Sequence, residues 1–516
     1  MYCKVTSGTV LGVGGMLIGV EADVSDGLPA FSMVGMLSSE VKEAGERVRT
    51  ALKNSGFKLP PKRITVNLSP ADIRKEGSAF DLPIALAVLA NLGYIESAEL
   101  KNVLVIGELG LNGDVNRVSG VLPIVCAAME KGCALCIVPA DNAKEAAVIS
   151  DITVIGVRTL REAIQALFNP DGAVKAAFEN TVGSGHTETL DFSEIAGQEA
   201  QKRAAEVAAA GMHNILMIGP PGSGKTMVAS RIPSLLPRPE FEESLEITKV
   251  YSVLGLLDNE LPFISERPFR APHHTITRSA MTGGGRRPLP GEISLADKGV
   301  LFLDELPEFE QSVLEVLRQP LEDGRIVISR VHGSCVFPAD FMLVAAMNPC
   351  KCGYYPSDRC RCTGEQVRRY LGRISRPLLD RIDISVEVPK LEFSQLAEAP
   401  EGESSETMRK RVEAARERQT WRYRGSRYSC NGRLDGRGVR EFCRPDREGM
   451  KLLEKAYKNL GLTARSYHKL LKVARTIADL EQSDSITRKH ISEALLYRVN
   501  MGEEFWGGSI GREQRA

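Results

Sequence analysis

Residues 215–226 read Ile-Leu-Met-Ile-Gly-Pro-Pro-Gly-Ser-Gly-Lys-Thr, an apolar run followed at once by a G-x-x-x-x-G-K-T loop. The apolar run is typical of a buried strand, and the loop predicts a helix that begins at its Lys-Thr end. Backbone N–H groups of such a loop surround phosphates, and the helix dipole adds a favourable field. Lys225 would reach the outer phosphate oxygens, and Thr226 would hold Mg²⁺. The residues expected to bind ATP are Gly219, Pro220, Pro221, Gly222, Ser223, Gly224, Lys225 and Thr226.

A second apolar run, Gly-Val-Leu-Phe-Leu over residues 299–303, ends in the adjacent carboxylates Asp304 and Glu305. Asp304 is expected to complete the Mg²⁺ shell, as acidic residues do in phosphate-loop enzymes. Glu305 could polarise the attacking water as a general base. On its own, an apolar run that ends in Asp-Glu is more often a solvated strand end. Its position downstream of a phosphate loop favours ATP hydrolysis.

A third apolar run, residues 341–346, precedes Asn348, and a turn further along the chain carries Arg381. The amide of Asn348 could orient the attacking water; the alternative is an asparagine that only caps a loop. Arg381 could reach a neighbouring subunit's γ-phosphate as an arginine finger, whereas an isolated arginine there would pair with Asp380 or Asp383. The predicted catalytic set is Lys225, Asp304, Glu305, Asn348, Arg381 and Arg465, the last a second cation at a helix start.

The overall composition is that of a soluble multidomain protein. A chain of 516 residues exceeds what one hydrophobic core supports. Lys+Arg and Asp+Glu number 66 each, so net charge gives no indication of nucleic-acid binding. No stretch reaches the roughly 18 apolar residues of a membrane span, and we expect no membrane partner. Eleven cysteines, an odd number, do not fit a secreted disulfide framework and favour a cytoplasmic location.

Composition and periodicity divide the chain into three domains and a linker. Residues 1–168 alternate strand-like and helical stretches and predict an α/β domain, and residues 169–190 form a polar, glycine-rich linker. Residues 191–395 alternate short buried strands with helices, the pattern of a parallel sheet covered on both faces. Residues 406–505 carry helical patterns throughout and predict an all-helical domain. The expected fold class is therefore a multidomain protein around a central α/β/α sheet.

Further motifs carry a family resemblance. Arg-Pro-Phe-Arg-Ala-Pro-His-His-Thr spans residues 267–275, Gly-Gly-Gly spans residues 283–285, and Pro-Gly-Glu-Ile-Ser spans residues 290–294. Together with the phosphate loop they resemble AAA+ ATPases of the magnesium-chelatase and MCM helicase branch, and specifically the magnesium chelatase-like ComM/YifB family. The resemblance implies a homo-hexameric ring, with Asn348 as sensor 1, Arg381 as a finger acting in trans and Arg465 as sensor 2 of a helical lid.

The N-terminal domain resembles the proteolytic domain of Lon-type proteases. The similarity rests on Lys-Glu-Gly-Ser-Ala-Phe-Asp over residues 75–81 and on the glycine-containing segment 107–114. A Lon enzyme needs a serine nucleophile and a lysine that activates it. Here the nucleophile position falls on Ala79 or Phe80, and the lysine position falls on Leu122. Because the dyad is missing, we expect a proteolytically inactive scaffold.

The family resemblance also implies translocation on branched DNA during recombination or natural transformation. Residues 324–337 read as a hairpin of alternating apolar residues that could line a central pore. Residues 421–428 interleave aromatics with arginines, as strand-stacking surfaces do, although Arg beside Tyr is also ordinary surface chemistry. A chelatase-type motor that remodels protein partners is the alternative function. The predicted DNA contacts are Arg286, Arg287, Arg330 and His332, with a solvated turn as the alternative for the last two.

Four cysteines follow Asn348 on one loop, as two C-x-C pairs. Four thiolates suit a closed tetrahedral Zn²⁺ site. Each pair is tighter than the usual two-to-four residue ligand spacing, so four reduced thiols or a redox-sensitive pair are the alternatives. The candidate zinc ligands are Cys350, Cys352, Cys360 and Cys362; ATP and Mg²⁺ are the other expected cofactors.

Overall fold

A computed structural model describes residues 3–178, 190–285, 288–330, 333–390 and 402–498. Among these residues, no helix combines the length and the apolar character that a membrane crossing requires. The chain is multidomain, with a parallel-sheet α/β core and a helical C-terminal region, as expected from the sequence.

The N-terminal region builds a mixed sheet with helices on both faces. Its strands are β1 (Cys3–Leu11), β2 (Gly14–Ser25), β3 (Ala30–Val34), β4 (Arg63–Ser69), β5 (Val103–Val105), β6 (Glu108–Leu109), β7 (Val115–Asn116), β8 (Leu135–Pro139) and β9 (Thr153–Val157). Its helices are α1 (Ser39–Asn54), α2 (Asp81–Asn91), α3 (Val121–Glu130), α4 (Ala143–Ala146) and α5 (Leu160–Phe168). The described part of the sheet has the order β3-β4-β2-β1-β5-β8-β9, and β6 pairs with β7 outside it.

The N-terminal region packs directly on the following domain. Helix α3 lies against the helix formed by Phe241–Val253. The Gly120 N–H donates to the Ser252 carbonyl of that helix at 2.8 Å. The Ser252 hydroxyl also donates to a Glu145 carboxyl oxygen at 2.5 Å, and this hydrogen bond is buried. The rings of Phe178 and Phe263 meet edge to face, 5.3 Å apart. These contacts connect the two regions without relying on the residues between positions 178 and 190.

The central region carries the predicted strand–loop–helix unit. Its strands are β10 (Ile215–Ile218), β11 (Phe269–Arg270), β12 (Gly283–Gly284), β13 (Leu289–Pro290), β14 (Val300–Leu303), β15 (Arg325–Arg330), β16 (Gly333–Pro338), β17 (Met342–Met347) and β18 (Ile384–Glu387). Its helices are α6 (Glu199–Gly211), α7 (Lys225–Leu235), α8 (Phe241–Val253), α9 (Arg278–Thr282), α10 (Glu292–Leu295), α11 (Gln311–Glu315), α12 (Arg318–Asp323), α13 (Gly364–Leu371) and α14 (Arg376–Leu379).

Five of these strands form a parallel sheet in the order β11-β14-β17-β10-β18. Strands β10, β14 and β17 are buried along their whole length, because helices cover both faces. Strand β17 lies between β10 and β14, with Met347 opposite Ile218 and Ala345 opposite Leu303. The carboxyl ends of these three strands therefore meet at one edge, where the phosphate loop, Asp304 and Asn348 begin.

Successive residues of each central strand face two different cores. Ile215 and Met217 pack with α6, α7 and the C-terminal helices, whereas Leu216 and Ile218 pack with the side that holds α13 and the cysteine loop. The C-terminal region thus shares a continuous core with the sheet. Its helices are α15 (Ser405–Arg422), α16 (Gly436–Phe442), α17 (Arg447–Asn459), α18 (Ala464–Leu480) and α19 (Arg488–Leu496).

A buried polar group fastens the C-terminal helices to the sheet. His213, after α6, places Nδ1 3.3 Å from an Asp383 carboxyl oxygen and Nε2 2.7 Å from the Thr476 hydroxyl of α18. The Lys472 ammonium lies 3.6 Å from Asp383. Burial lowers the pKa of His213, so the ring is neutral and its Nδ1–H donates to Asp383. Burial opposes ionisation of Asp383, but Lys472 and His213 outweigh it and hold the pKa of Asp383 below its ordinary value.

We expect Asp383→Ala to lower the stability of this domain pair by about 3–5 kcal/mol, because the change leaves Lys472 buried without its carboxylate. The folded-state pKa of Asp383 lies below the ordinary carboxyl value, so its contribution is present at neutral pH and lost in acid. Thermal unfolding followed by circular dichroism measures the effect. Asp484→Ala is the control, because Asp484 is 98% exposed in its pair with Arg418 and should matter little. Equal unfolding midpoints for both variants would contradict this role.

Candidate nucleotide-binding site

The phosphate loop follows β10 and leads into α7, as the sequence predicted. Gly222 and Gly224 have φ of 72° and 84°, left-handed conformations that glycine adopts without strain. Helix α7 begins at Lys225, so its unpaired N-terminal N–H groups point toward the loop. This is the geometry in which backbone amides and a helix N-terminus bind an anion.

Lys225 connects the phosphate loop to the neighbouring strand. Its ammonium donates to the carbonyls of Gly219 and Pro220 at 2.8 and 2.9 Å, and to the Asn348 side-chain oxygen at 3.2 Å. Burial lowers the pKa of Lys225, while the charges of Asp304 and Glu305 oppose that shift. A desolvated cation at this position interacts strongly with phosphate, because little water screens it.

Thr226 and Asp304 meet across the same edge of the sheet. The Thr226 hydroxyl donates to one Asp304 carboxyl oxygen at 2.8 Å, and the Glu305 backbone N–H donates to the other at 2.8 Å. A hydroxyl and a carboxylate in this arrangement supply oxygen ligands that suit Mg²⁺. The pair is therefore the part of the chain that could hold a nucleotide-bound magnesium ion.

Glu305 occupies an unusual backbone conformation next to a histidine. Its φ is 51°, a left-handed value that costs a non-glycine residue free energy and is often found at functional sites. The His274 Nδ1 atom lies 3.5 Å from a Glu305 carboxyl oxygen, and the His273 ring stacks on His274 with centroids 4.1 Å apart. Although the sequence marked the His-His pair as part of a family motif, it gave no indication that one ring faces the acidic strand end.

Two other contacts at this site were not predicted. The Gln198 amide, just before α6, donates to the Ser223 carbonyl at 2.7 Å and so supports the phosphate loop from outside. Tyr370 of α13 packs in the same core as Met347, the residue before Asn348. Both residues are distant in sequence from the motifs that they contact, so only the tertiary structure reveals them.

Arg381 and Arg465 lie near each other, and each pairs with an acidic side chain. Arg381 pairs with Glu322 and also donates to the Pro377 carbonyl at 3.2 Å. Arg465, at the start of α18, donates to Asp380 at 3.1 Å. Burial, and then the charge of Arg465, lowers the pKa of Arg381. The expectation that an isolated Arg381 would pair with Asp380 or Asp383 is wrong, because those carboxylates bind Arg465 and the His213–Lys472 group.

The four cysteines after Asn348 are brought together. All four sulfurs lie within 4.8 Å of one another. Cys350 is fully buried, and the remaining three are partly exposed. Backbone N–H groups of Tyr354 and Arg361 donate to the Cys352 sulfur and lower the pKa of that thiol to about 6. The cluster members are Cys350, Cys352, Cys360 and Cys362.

The predicted DNA contacts lie outside the described residues. Positions Arg286, Arg287 and His332 are among those not described, and for Arg330 only the backbone at the end of β15 is described. The hairpin itself is present, with β15 and β16 paired from Arg325 opposite Pro338 to Arg330 opposite Gly333.

The aromatic and arginine segment 421–428 is partly packed and partly exposed, so its interpretation as a base-stacking surface stays a prediction. Tyr423 is buried, and Arg422 binds Asp479 inside the helical region. Tyr428 donates to Asp435 at 2.6 Å, and Arg427 pairs with the same carboxylate. Only Trp421 is strongly exposed among the aromatics of this segment, at 78%. Alternating residue types could not distinguish a packed helix end from a binding face.

Comparison with known proteins places the chain in one family along most of its length. The family model described as "Magnesium chelatase, subunit ChlI" matches residues 191–396, "Subunit ChlI of Mg-chelatase" matches residues 20–142, and "Magnesium chelatase, subunit ChlI C-terminal" matches residues 402–498. The competence protein ComM of Haemophilus influenzae is 45% identical, over 95% of this chain and 96% of its own length.

Other relatives range from near full-length to partial. The YifB protein of Escherichia coli is 45% identical, over 95% of this chain and 95% of its own. The magnesium-chelatase 38 kDa subunit of Cereibacter sphaeroides is 27% identical, over 38% of this chain and 58% of its own length. With family models and full-length relatives in agreement with the motifs around the phosphate loop, the chain belongs to the ComM/YifB family of magnesium chelatase-like AAA+ ATPases.

Proposed function

We propose that this protein hydrolyses ATP with Mg²⁺ and uses the energy to move along DNA. The observation that carries the hydrolysis is the convergence of three strand ends, where hydrogen bonds connect Lys225 to Asn348 and Thr226 to Asp304. With a nucleotide and its magnesium ion bound, such a set supplies most groups of a phosphoryl-transfer site.

Each residue of the set has a distinct role in this proposal. Thr226 and Asp304 hold Mg²⁺, which neutralises charge on the β- and γ-phosphates, and Lys225 contacts the same oxygens. Glu305 accepts a proton from the attacking water. Asn348 is close enough to Lys225 to orient that water beside the γ-phosphate. Charge stabilisation and positioning supply most of the rate, since the reaction needs little covalent help.

His274 is proposed as a positioning residue for Glu305. The His274 Nδ1 atom lies 3.5 Å from a Glu305 carboxyl oxygen, close enough to restrict the direction of that side chain. Glu305 is 56% exposed in its side chain, so it could otherwise sample several rotamers. The histidine thus favours the rotamer in which the carboxylate faces the phosphate site.

The protein is proposed to act as a homo-hexameric ring. Arg381 and Arg465 are held by Glu322, Pro377 and Asp380, none of which belongs to the phosphate loop. In the assembled ring, Arg381 would exchange its partner Glu322 for the γ-phosphate of a neighbouring copy, where an arginine finger stabilises charge on the transferred phosphate. Identical copies that associate head to tail form a closed ring when the rotation between neighbouring copies divides a full turn evenly.

The DNA part of the proposal rests on the hairpin and on a relative. Strands β15 and β16 pair as an antiparallel hairpin. In the sequence, Arg330 and His332 fall at or between these strands, and cations there would suit phosphate contacts. The printed name of the Haemophilus influenzae relative connects that protein with competence. We extend this to branch migration in recombination or natural transformation. The alternative, a chelatase-type motor acting on protein partners, follows from the magnesium-chelatase relatives.

The N-terminal domain is proposed to be a proteolytically inactive, Lon-like scaffold that supports assembly. On this proposal, the positions of the Lon dyad fall on Ala79 or Phe80 and on the fully buried Leu122. None of these residues can act as a nucleophile or as a base. The direct packing of α3 on α8 gives the domain a structural role instead.

Lys225→Ala is expected to abolish ATP hydrolysis, because the variant loses the cation at the phosphate oxygens. Steady-state phosphate release, measured with and without single-stranded and four-way-junction DNA, tests the motor. We expect DNA to stimulate the unmodified protein several-fold and to leave the variant inactive. Lys451→Ala, at an exposed lysine of α17, is the control and should keep full activity. A rate of ATP hydrolysis that neither DNA changes would contradict the DNA motor and favour protein remodelling.

Mixing two inactive variants tests whether Arg381 acts between subunits. We expect Arg381→Ala to reduce turnover by at least about a hundredfold. A mixture of Arg381→Ala and Lys225→Ala chains should regain part of the activity, since an intact Arg381 can then face an intact phosphate loop. The measurement is phosphate release against the mixing ratio. If light scattering showed mixed rings but no mixing ratio restored turnover, the conclusion would be that Arg381 acts within its own chain.

His274→Ala is expected to reduce kcat on the order of tenfold while nucleotide affinity stays unchanged, because His274 orients Glu305 without contacting the phosphate loop. Phosphate release and binding of a fluorescent ATP analogue measure the two quantities. His274→Gln should restore part of the rate by keeping a polar partner. His468→Ala, in α18, serves as the matched control. A loss of nucleotide affinity equal to the loss of kcat would show that His274 is not a positioning residue.

A further inference from the structure

The four-cysteine cluster has the geometry of a single metal ion site. Measured between sulfurs, Cys350 lies 3.3 Å from Cys352 and 3.7 Å from Cys360, and Cys352 lies 3.6 Å from Cys360. Tetrahedral Zn²⁺ with Zn–S bonds of about 2.3 Å spaces its sulfurs by about 3.8 Å. The sulfurs are therefore arranged around one point, although the C-x-C spacing was tighter than the spacing usual for zinc.

The cluster contains no disulfide, and its all-sulfur ligand set suits some metals better than others. A disulfide would bring two of the sulfurs to about 2.0 Å, and no pair in the cluster is bonded. Four thiolates around one point form a closed ligand set with no open position, which is typical of a structural rather than a catalytic zinc. Soft sulfur ligands also disfavour Mg²⁺, which prefers oxygen.

We propose that one Zn²⁺ ion is bound by Cys350, Cys352, Cys360 and Cys362. The bound ion would restrict the movement of the phosphate loop and of Asn348, an effect called the brace below. The second half of the proposal rests on the proposed ATP hydrolysis; the first half stands independently of it.

The loop that carries the four cysteines, residues 350–362 and here called the metal loop, contacts the phosphate loop directly. Gly353, one residue after the first C-x-C pair, has φ of 85°, and a Cβ added there would lie 2.4 Å from the Pro221 ring. Such close approach is possible only for glycine. The Gly353 N–H also donates to the Cys350 carbonyl at 3.0 Å, so the first pair of ligands fixes this turn. An ordered metal loop therefore limits how far Pro221 can move.

A shared core connects the metal loop to the strand ends. Cys350 is fully buried in the same hydrophobic core as Ile218, Leu303 and Met347, the last residues of β10, β14 and β17. Asn348 lies only two positions before Cys350. Protein cores are packed densely, so displacement of Cys350 would be transmitted to these strand ends.

The second pair of ligands connects to the end of β17 by another route. Cys362 is followed by Thr363, whose side chain caps the start of α13. Tyr370, near the end of that helix, packs in the same core as Met347 and Cys350. One Zn²⁺ would thus cross-link the segment before α13 to the segment after β17, on either side of the same core.

Metal content is the first test. Protein purified from zinc-supplemented cells under reducing conditions should contain one zinc per chain by plasma mass spectrometry. The double variant Cys360→Ser/Cys362→Ser should contain none. Cys126→Ala/Cys133→Ala, at two buried cysteines outside the cluster, is the matched control and should keep the metal. Zinc well below one equivalent in the unmodified protein, iron in its place, or zinc retained by the Cys360→Ser/Cys362→Ser protein would overturn the site.

A spectroscopic test removes the risk that the double variant fails to fold. Zinc is removed from the unmodified protein with a mercurial reagent and a chelator, the mercurial is displaced with thiol, and Co²⁺ is added. Four thiolates should give the charge-transfer and visible bands of tetrahedral cobalt, saturating at one equivalent. Bands typical of oxygen-rich, octahedral cobalt would contradict the assignment of ligands even if the total metal content were correct.

The brace is tested on the same zinc-free protein. We expect several-fold weaker binding of a fluorescent ATP analogue and several-fold slower phosphate release, both restored by one equivalent of Zn²⁺. Unchanged binding and turnover after zinc loss would overturn the brace while leaving the metal site. A zinc-loaded protein that binds the analogue but hydrolyses no ATP would instead contradict the proposed function, so the two failures are distinguishable.

Discussion

The pairing of β17 between β10 and β14 is the constraint on which the rest of the site depends. Because all three strands run parallel, their carboxyl ends emerge at one edge, and the loops that follow them must share a small volume. The register places Met347 opposite Ile218, so Asn348 emerges level with the start of the phosphate loop. Lys225 can therefore bind Asn348 and Thr226 can bind Asp304 without any strain in the sheet.

Elements packed on both faces of the sheet stabilise the edge at which these strands end. On one face, the C-terminal helices share a core with β10 and β17, and the buried His213–Asp383 pair fixes α18 beside the turn that holds Arg381. On the other face, the cysteine loop and α13 pack over the strand ends. The cations and the phosphate loop are thus held by separate supports, an arrangement that suits a site completed by two copies of the chain.

Prediction from sequence succeeded where the chemistry is local. The phosphate loop, the acidic strand end and the helical C-terminal region follow from short patterns of apolar, glycine and charged residues. It did not separate the two kinds of residue in the segment 421–428, where Tyr423 is buried and Arg422 binds Asp479 while Trp421 is exposed. It also missed Gln198, His274 and Tyr370, since contacts between distant segments leave no trace in the spacing of a single chain.

The sequence by itself determined the elements and their chemistry, because backbone hydrogen bonding and hydrophobic periodicity are set by neighbouring residues. It also identified the family. Only the tertiary structure decided the strand order, which brings Asn348 between Lys225 and the acidic strand end, and the partners of Arg381. It likewise decided that four cysteines with unusual spacing converge on one point, since long-range packing, not local spacing, sets the distance between two loops.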